Sequence, residues 1–167
     1  NVIENNVLYG NTDGIALWHS SNNIIQNNSI TENNRGVRAN EGSNNNIITN
    51  NRILTSAEYG VYFYKNANNN SVNDNILRNN SVAIYIKTEK NTISKNVIED
   101  NITGIYFLEG ANNNIVLDNE ILYNSSYGIY SKINTNQKNI LGKNTLFRNR
   151  HDITANAALS NLSAKIH

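Results

Sequence analysis

The sequence predicts an all-β chain wound as about seven stacked coils of three short parallel strands, and three observations carry that prediction. Asparagine supplies 39 of the 167 residues and recurs in three fixed columns. Single aliphatic residues stand at constant offsets from those columns. The Asn-Gly pair, the strongest short hairpin signal, is absent although both residues are plentiful. Parallel strands stacked coil on coil need no hairpins.

Each unit reads Asn, x, aliphatic, x, x, Asn, x, aliphatic, x, x, Asn, then two or three residues, then Gly-aliphatic-x-aliphatic. The first strand follows the column Asn1, Asn23, Asn46, Asn70, Asn91, Asn114 and Asn139 and turns inward Ile3, Ile25, Ile48, Val72, Ile93, Val116 and Leu141. The second follows Asn6, Asn28, Asn51, Asn75, Asn96, Asn119 and Asn144 and buries Leu8, Ile30, Ile53, Leu77, Ile98, Ile121 and Leu146. The third column is Asn11, Asn33, Asn80, Asn101, Asn124 and Asn149, with Ser56 as its exception. The third strand follows Gly14, Gly36, Gly60, Ala83, Gly104, Gly128 and Asp152. Its inward pairs include Ile15 with Leu17, Val61 with Phe63 and Ile105 with Phe107. Spacings of five residues between Asn columns suit short strands and tight corners, not a 3.6-residue period. Successive first-column asparagines lie 21 to 25 residues apart, a period that marks a solenoid. Leucine-rich repeats share this length but need a Leu-dominated consensus and usually a helical side.

The columns also explain the asparagine. Corners favour left-handed backbone, which Asn tolerates, and stacked coils set each Asn over the next at about 4.8 Å, where amides bond along the column. Corner and ladder are expected to use the same residue. A disordered Asn-rich tract has the composition without the register. The pattern fills residues 1–155; residues 156–167 are expected to be a tail or short capping segment, with Leu159, Leu162 and Ile166 on one face of a helix behind Asn156, or frayed.

A net charge of +1 gives no reason to expect nucleic acid, and no apolar run is long enough to span a membrane. The absence of Cys and Met removes thiolate and thioether chemistry. The chain opens inside the repeat without an initiator Met, which reads as a piece of a larger surface or secreted protein.

Stretches such as "NNIIQNNSITENNRGV" and "NNNIVLDNEILYNSSYGIY" resemble the right-handed parallel β-helix repeat of NosD-like and CASH (carbohydrate-binding and sugar-hydrolysis) domains of the pectin-lyase-like superfamily. The resemblance covers residues 1 to about 155 and rests on corners and core. It implies a right-handed coil, an extracellular, cell-surface or periplasmic setting and, often, polysaccharide as ligand or substrate.

The chemistry needs its own residues. His19, His151 and His167 are the only imidazoles and belong to distant parts of the repeat, so no metal site and no cofactor are expected. Polysaccharide cleavage needs two cooperating carboxylates or a base with a cationic stabiliser. One column reads Asp74, Lys95, Asp118, Lys143 and sets its carboxylates about 9.6 Å apart over two coils, near the range for inverting glycosidases. Lys95 between them favours reading the column as an ordinary charge ladder. Six Asn-x-Ser/Thr sequons, at Asn27, Asn69, Asn79, Asn101, Asn124 and Asn161, match chance for this composition.

One feature exceeds the needs of the fold. The outward position between the core residues of the third strand reads Ala16, Arg38, Tyr62, Tyr85, Tyr106, Tyr130 and Thr154. The next outward column reads Trp18, Asn40, Tyr64, Lys87, Leu108, Lys132 and Asn156. Stacked tyrosines stabilise sheets; an exposed aromatic strip is equally a surface for sugar rings or for a neighbouring domain or protomer. The expected function is a non-catalytic scaffold or binding module using Trp18, Arg38, Tyr62, Tyr64, Tyr85, Lys87, Tyr106, Tyr130 and Lys132. Its partners are polysaccharide, neighbouring surface-protein domains or a second copy. The alternative is a glycan lyase, hydrolase or epimerase with Asp74 and Asp118 as catalytic candidates; the even length of the units, which leaves no long loop over a cleft, counts against it.

Overall fold

A computed structural model describes residues 1–132, 138–155, 159–160 and 165–166. Every regular element among them is a β-strand. Val2–Glu4, Val7–Tyr9 and Asp13–Trp18 form the first coil, and the same trio recurs to Asn139–Gly142, Thr145–Phe147 and His151–Ala155 in the seventh. Each strand pairs in parallel with its counterpart one coil away, as Val2–Glu4 does with Ile24–Gln26. Three sheets therefore run along the solenoid, with eight, eight and seven strands among the described residues.

The C-terminal segment departs from the helical expectation. Leu159–Ser160 pairs with Asn139 and Ile140, and Lys165–Ile166 pairs with Thr145 and Leu146. The edges of the first and second sheets offer these residues backbone partners, whereas a helix this short is marginal by itself. Asn156 and Leu162 lie outside the described residues.

A three-residue strand buries its centre and leaves its flanks outside, because successive side chains point to opposite faces. Ile25, Ile30, Ile48, Ile53, Val72, Leu77, Ile93, Ile98, Val116 and Ile121 are all fully buried. In the third sheet Phe63 pairs with Ala39, and Phe107 pairs with Ser131. Each phenylalanine thus has a small residue on one side, with Ile86 between the two, so that large and small side chains share a close-packed interior.

The three asparagine columns are hydrogen-bonded ladders. The Oδ1 of Asn96 accepts from the backbone N–H of Asn75 at 3.0 Å and from its Nδ2 at 3.1 Å. Its own Nδ2 donates to Val72 O at 2.9 Å, Ser94 O at 3.0 Å and Asn119 Oδ1 at 2.9 Å. Buried side-chain amides thus satisfy the peptide groups that the corners withdraw from the sheets. The third ladder is interrupted where expected: Ser56 Oγ is buried without a hydrogen-bond partner.

Ladder and corner are separate residues, which corrects the expectation that one Asn serves both. In the second column left-handed φ falls on the residue before each ladder position, at Asn5, Asn27, Asn50, Asp74, Lys95, Asp118 and Lys143. Those corners are exposed, while Asn28, Asn51, Asn75, Asn96, Asn119 and Asn144 are buried. The corner turns the chain and the next side chain points inward to bond.

The glycine column answers to space. A Cβ on Gly36 would stand 2.5 Å from Gly60 O and 2.6 Å from Ile53 Cγ2. The chain contains no proline, consistent with a backbone whose N–H groups donate from coil to coil even at the corners, as Ile24 N does to Asn1 O at 2.8 Å.

Candidate functional site

The third sheet carries the site. Its register aligns Arg38, Tyr62, Tyr85, Tyr106, Tyr130 and Thr154 as one outward column. A second outward column, Asp13, Arg35, Tyr59, Val82, Thr103, Tyr127 and His151, runs beside it. Seven of the nine tyrosines, all but Tyr9 and Tyr123, thus gather on this sheet and its margin. Tyr59 and Tyr127 went unnoticed in the sequence, although both directly precede a column glycine in "YGVYF" and "YGIYS".

The rings are contiguous. Centroids lie 5.4 Å apart for Tyr62 and Tyr85, 5.2 Å for Tyr85 and Tyr106, and 4.8 Å for Tyr106 and Tyr130. Tyr59 bridges Tyr62 and Tyr85 at 4.8 and 4.7 Å, and Tyr127 flanks Tyr130 at 4.8 Å. Tyr85 and Tyr106 stack at 19° and Tyr62 and Tyr64 at 14°. Rings arranged in this way cover parts of one another's faces, so the row presents edges and phenol hydroxyls more than a continuous flat floor. Burial pushes the Tyr62, Tyr85 and Tyr106 hydroxyls above the ordinary phenol value, Tyr85 to about 12, with neighbouring tyrosines adding to the shift. These groups remain neutral hydrogen-bond donors at any ordinary pH.

Charge frames the row. Asp13 binds Arg35 Nε at 2.6 Å and Arg38 at 3.0 Å, and Glu58 stands 3.6 Å from Arg35. Arg38 Nε is buried without a partner. On the other margin, Lys65 and Lys87 place ammonium groups 5.6 and 5.5 Å from the Tyr64 ring. Lys65 also binds Glu41 at 2.6 Å. Lys132 is exposed beside Ser131 at the end of the Tyr127–Ser131 strand. His151 stacks on Tyr127 at 5.2 Å.

Other sequence candidates lie elsewhere. Asp74 and Asp118 occupy exposed left-handed corners between the first and second sheets, away from the tyrosine strand. Asp74 Oδ2 accepts from Asn73 Nδ2 at 2.9 Å. Trp18 is exposed in the first coil, with its ring 6.3 Å from His19. Of the sequons, Asn101 and Asn124 are buried ladder residues, whereas Asn27, Asn69 and Asn79 sit at exposed corners; Asn161 lies outside the described residues.

Three parallel sheets wound about a ladder-lined core define a parallel β-helix protein. Residues 1–91 match the family described as right handed beta helix region, and residues 65–162 match the one described as periplasmic copper-binding protein (NosD); the chain belongs to these overlapping β-helix families. No curated protein matches at a significant level. The structure is similar to that of the periplasmic alginate epimerase AlgG, with a TM-score of 0.82 and 19% identity over 99% of this chain and 43% of the epimerase. It is similar also to the A-module of the Azotobacter vinelandii mannuronan C-5 epimerase AlgE4, with a TM-score of 0.71 and 15% identity over 99% of this chain and 57% of that one. The chain thus spans less than two thirds of either, and the likeness is one of fold.

Copper, named in the second family description, finds no cluster of donors among the described residues. The chain has no Cys or Met. His19 and His151 belong to the first and seventh coils, His167 lies outside the described residues, and no group of three or more His, Cys, Asp or Glu side chains comes together among those described.

Proposed function

We propose that this chain is a non-catalytic polysaccharide-binding module, the β-helix part of a periplasmic, secreted or cell-surface protein, and that an extended glycan lies along the tyrosine row. The observation that carries this reading is the unbroken run of rings from Tyr59 and Tyr62 to Tyr130, each 4.8 to 5.4 Å from the next between centroids. A chain of sugar units offers the complementary repeat of C–H faces and hydroxyls, and aromatic rings with polar tips suit both. The printed names of the structural neighbours, which concern alginate and mannuronan, support polysaccharide as the partner class, and the periplasmic setting in the NosD and AlgG descriptions supports export.

The test is affinity electrophoresis and a glycan array with wild type, Tyr85→Ala, Tyr106→Ala and the double variant, each shown to be folded. Each single change should weaken binding several-fold and the double change should nearly abolish it. A folded wild type that binds no glycan but self-associates, with a monomeric double variant, would make the row a protein interface.

The same neighbours favour a second reading, a glycan epimerase or lyase. Turnover of a uronate-rich or neutral glycan that disappears in Asp74→Asn or Asp118→Asn would establish it. The raised tyrosine values count against these phenols as its base, because a general base works best with a pKa near the working pH.

A further inference from the structure

Between the third sheet and the first, the turn of the fourth coil is short. Residues 87–91 make that connection, against 64–70 in the coil before and 108–114 in the coil after. The two longer turns project past the shorter one and leave a cleft of about 390 Å³, lined by Asn66 and Asn68 on one side, Gly110 on the other and Lys87, Thr88 and Glu89 across its floor. That volume is at the lower end of ligand pockets, the scale of one ring rather than a chain.

The floor is held in place. Asn68 Oδ1 accepts from Glu89 N at 2.9 Å, Thr88 Oγ1 accepts from Asn91 Nδ2 at 3.0 Å, and Lys90 N donates to Asn112 O at 3.0 Å. Gly110 has φ +102, a conformation that other residues rarely adopt, and a Cβ there would stand 3.2 Å from Lys87 O, so the far wall favours glycine. The Lys87 ammonium group lies 5.5 Å from the Tyr64 ring, and Tyr64 stacks on Tyr62, so the cleft adjoins the tyrosine row.

We infer that the cleft is a subsite for one neutral hexose unit, a branch or terminal residue of the glycan on the tyrosine row. Lys87 and Glu89 both line the cleft, yet neither is ion-paired among the described residues. A carboxylated sugar would gain the ammonium and meet the Glu89 carboxylate. A hydroxylated one uses both, donating to Glu89 and accepting from Lys87, while the amides of Asn66 and Asn68 serve either role. The inference rests on the polysaccharide reading only for the continuity of the chain; binding of the single unit stands apart from it.

The experiment titrates isotope-labelled protein with the methyl glycosides of glucose, mannose and galactose and with methyl glucuronide, following amide resonances by NMR. At least one neutral glycoside should shift Gly110, Glu89 and the side-chain amides of Asn66 and Asn68. Lys87→Gln combined with Glu89→Gln should weaken that response at least tenfold, Lys95→Gln at a distant corner should leave it unchanged, and methyl glucuronide should bind more weakly. Silence of these resonances with every neutral glycoside, or tighter binding of the glucuronide, overturns the inference. The two proposals fail separately: the Tyr85→Ala, Tyr106→Ala variant should lose polysaccharide retention but keep the glycoside shifts. Retention with a silent cleft removes the subsite alone, and glycoside shifts without retention remove only the row.

Discussion

Asn96 uses both ends of its amide at once, accepting two hydrogen bonds from Asn75 and donating to Val72, Ser94 and Asn119. Asn96→Ala strands several buried groups together and is expected to cost about 1–3 kcal/mol, against within about 0.5 kcal/mol for exposed Lys87→Ala, as read from urea midpoints. The ladder also marks where stability can be added. Ser56→Asn would place an amide beneath Asn33 and above Asn80, where Ser56 Oγ lacks a partner, and should raise the midpoint by about 1 kcal/mol. The register of these columns was legible because every coil repeats it. The division between corner and ladder was not, because Asn fills many positions of both kinds; only corners such as Thr55, Tyr123 and Arg148, which hold other residues, separate the two roles.

The third sheet combines a crowded inner edge with an aromatic outer face. Gly36→Ala should destabilise by about 1–3 kcal/mol, since its Cβ would press on Gly60 O; Ala83 in the same column indicates that the stack can yield locally. On the outer face, Tyr62, Tyr85 and Tyr106 keep their protons above the ordinary phenol value of 10.0, with burial as the largest cause. In the unfolded chain they ionise near that ordinary value, so this contribution to stability is complete below pH 10 and is lost as pH rises towards the folded value, about 12 for Tyr85. An ultraviolet titration should show late-ionising tyrosines, and the thermal midpoint should fall across the same window. Identical titration of native and urea-unfolded protein would contradict this account. The Tyr62 to Tyr130 column was readable from the alternation along each strand. Tyr59 and Tyr127 were not, because two consecutive buried residues, Gly60 with Val61 and Gly128 with Ile129, break that alternation between them and the outward column.

Across the whole molecule, contacts join each coil to its neighbours and little else, so stability is close to a sum of coil and interface contributions. Circular dichroism should show nearly pure β structure; a spectrum dominated by helix or by coil in native buffer would be incompatible with the three sheets. The sequence showed that units differ in length but not what the difference builds. The cleft at Lys87 and Glu89 exists because one short turn lies between two longer ones, a relation visible only once the coils are stacked. The register between coils also bears on how the chain finds its form. A residue pairs with one 21 to 25 positions away, as Asn75 does with Asn96 and Asn114 with Asn139, so each closure spans a single repeat. With no proline in the sequence, prolyl isomerisation adds no slow phase. Refolding from urea should therefore proceed by adding coils to a formed neighbour, at a rate indifferent to prolyl isomerase and to how long the chain was held unfolded.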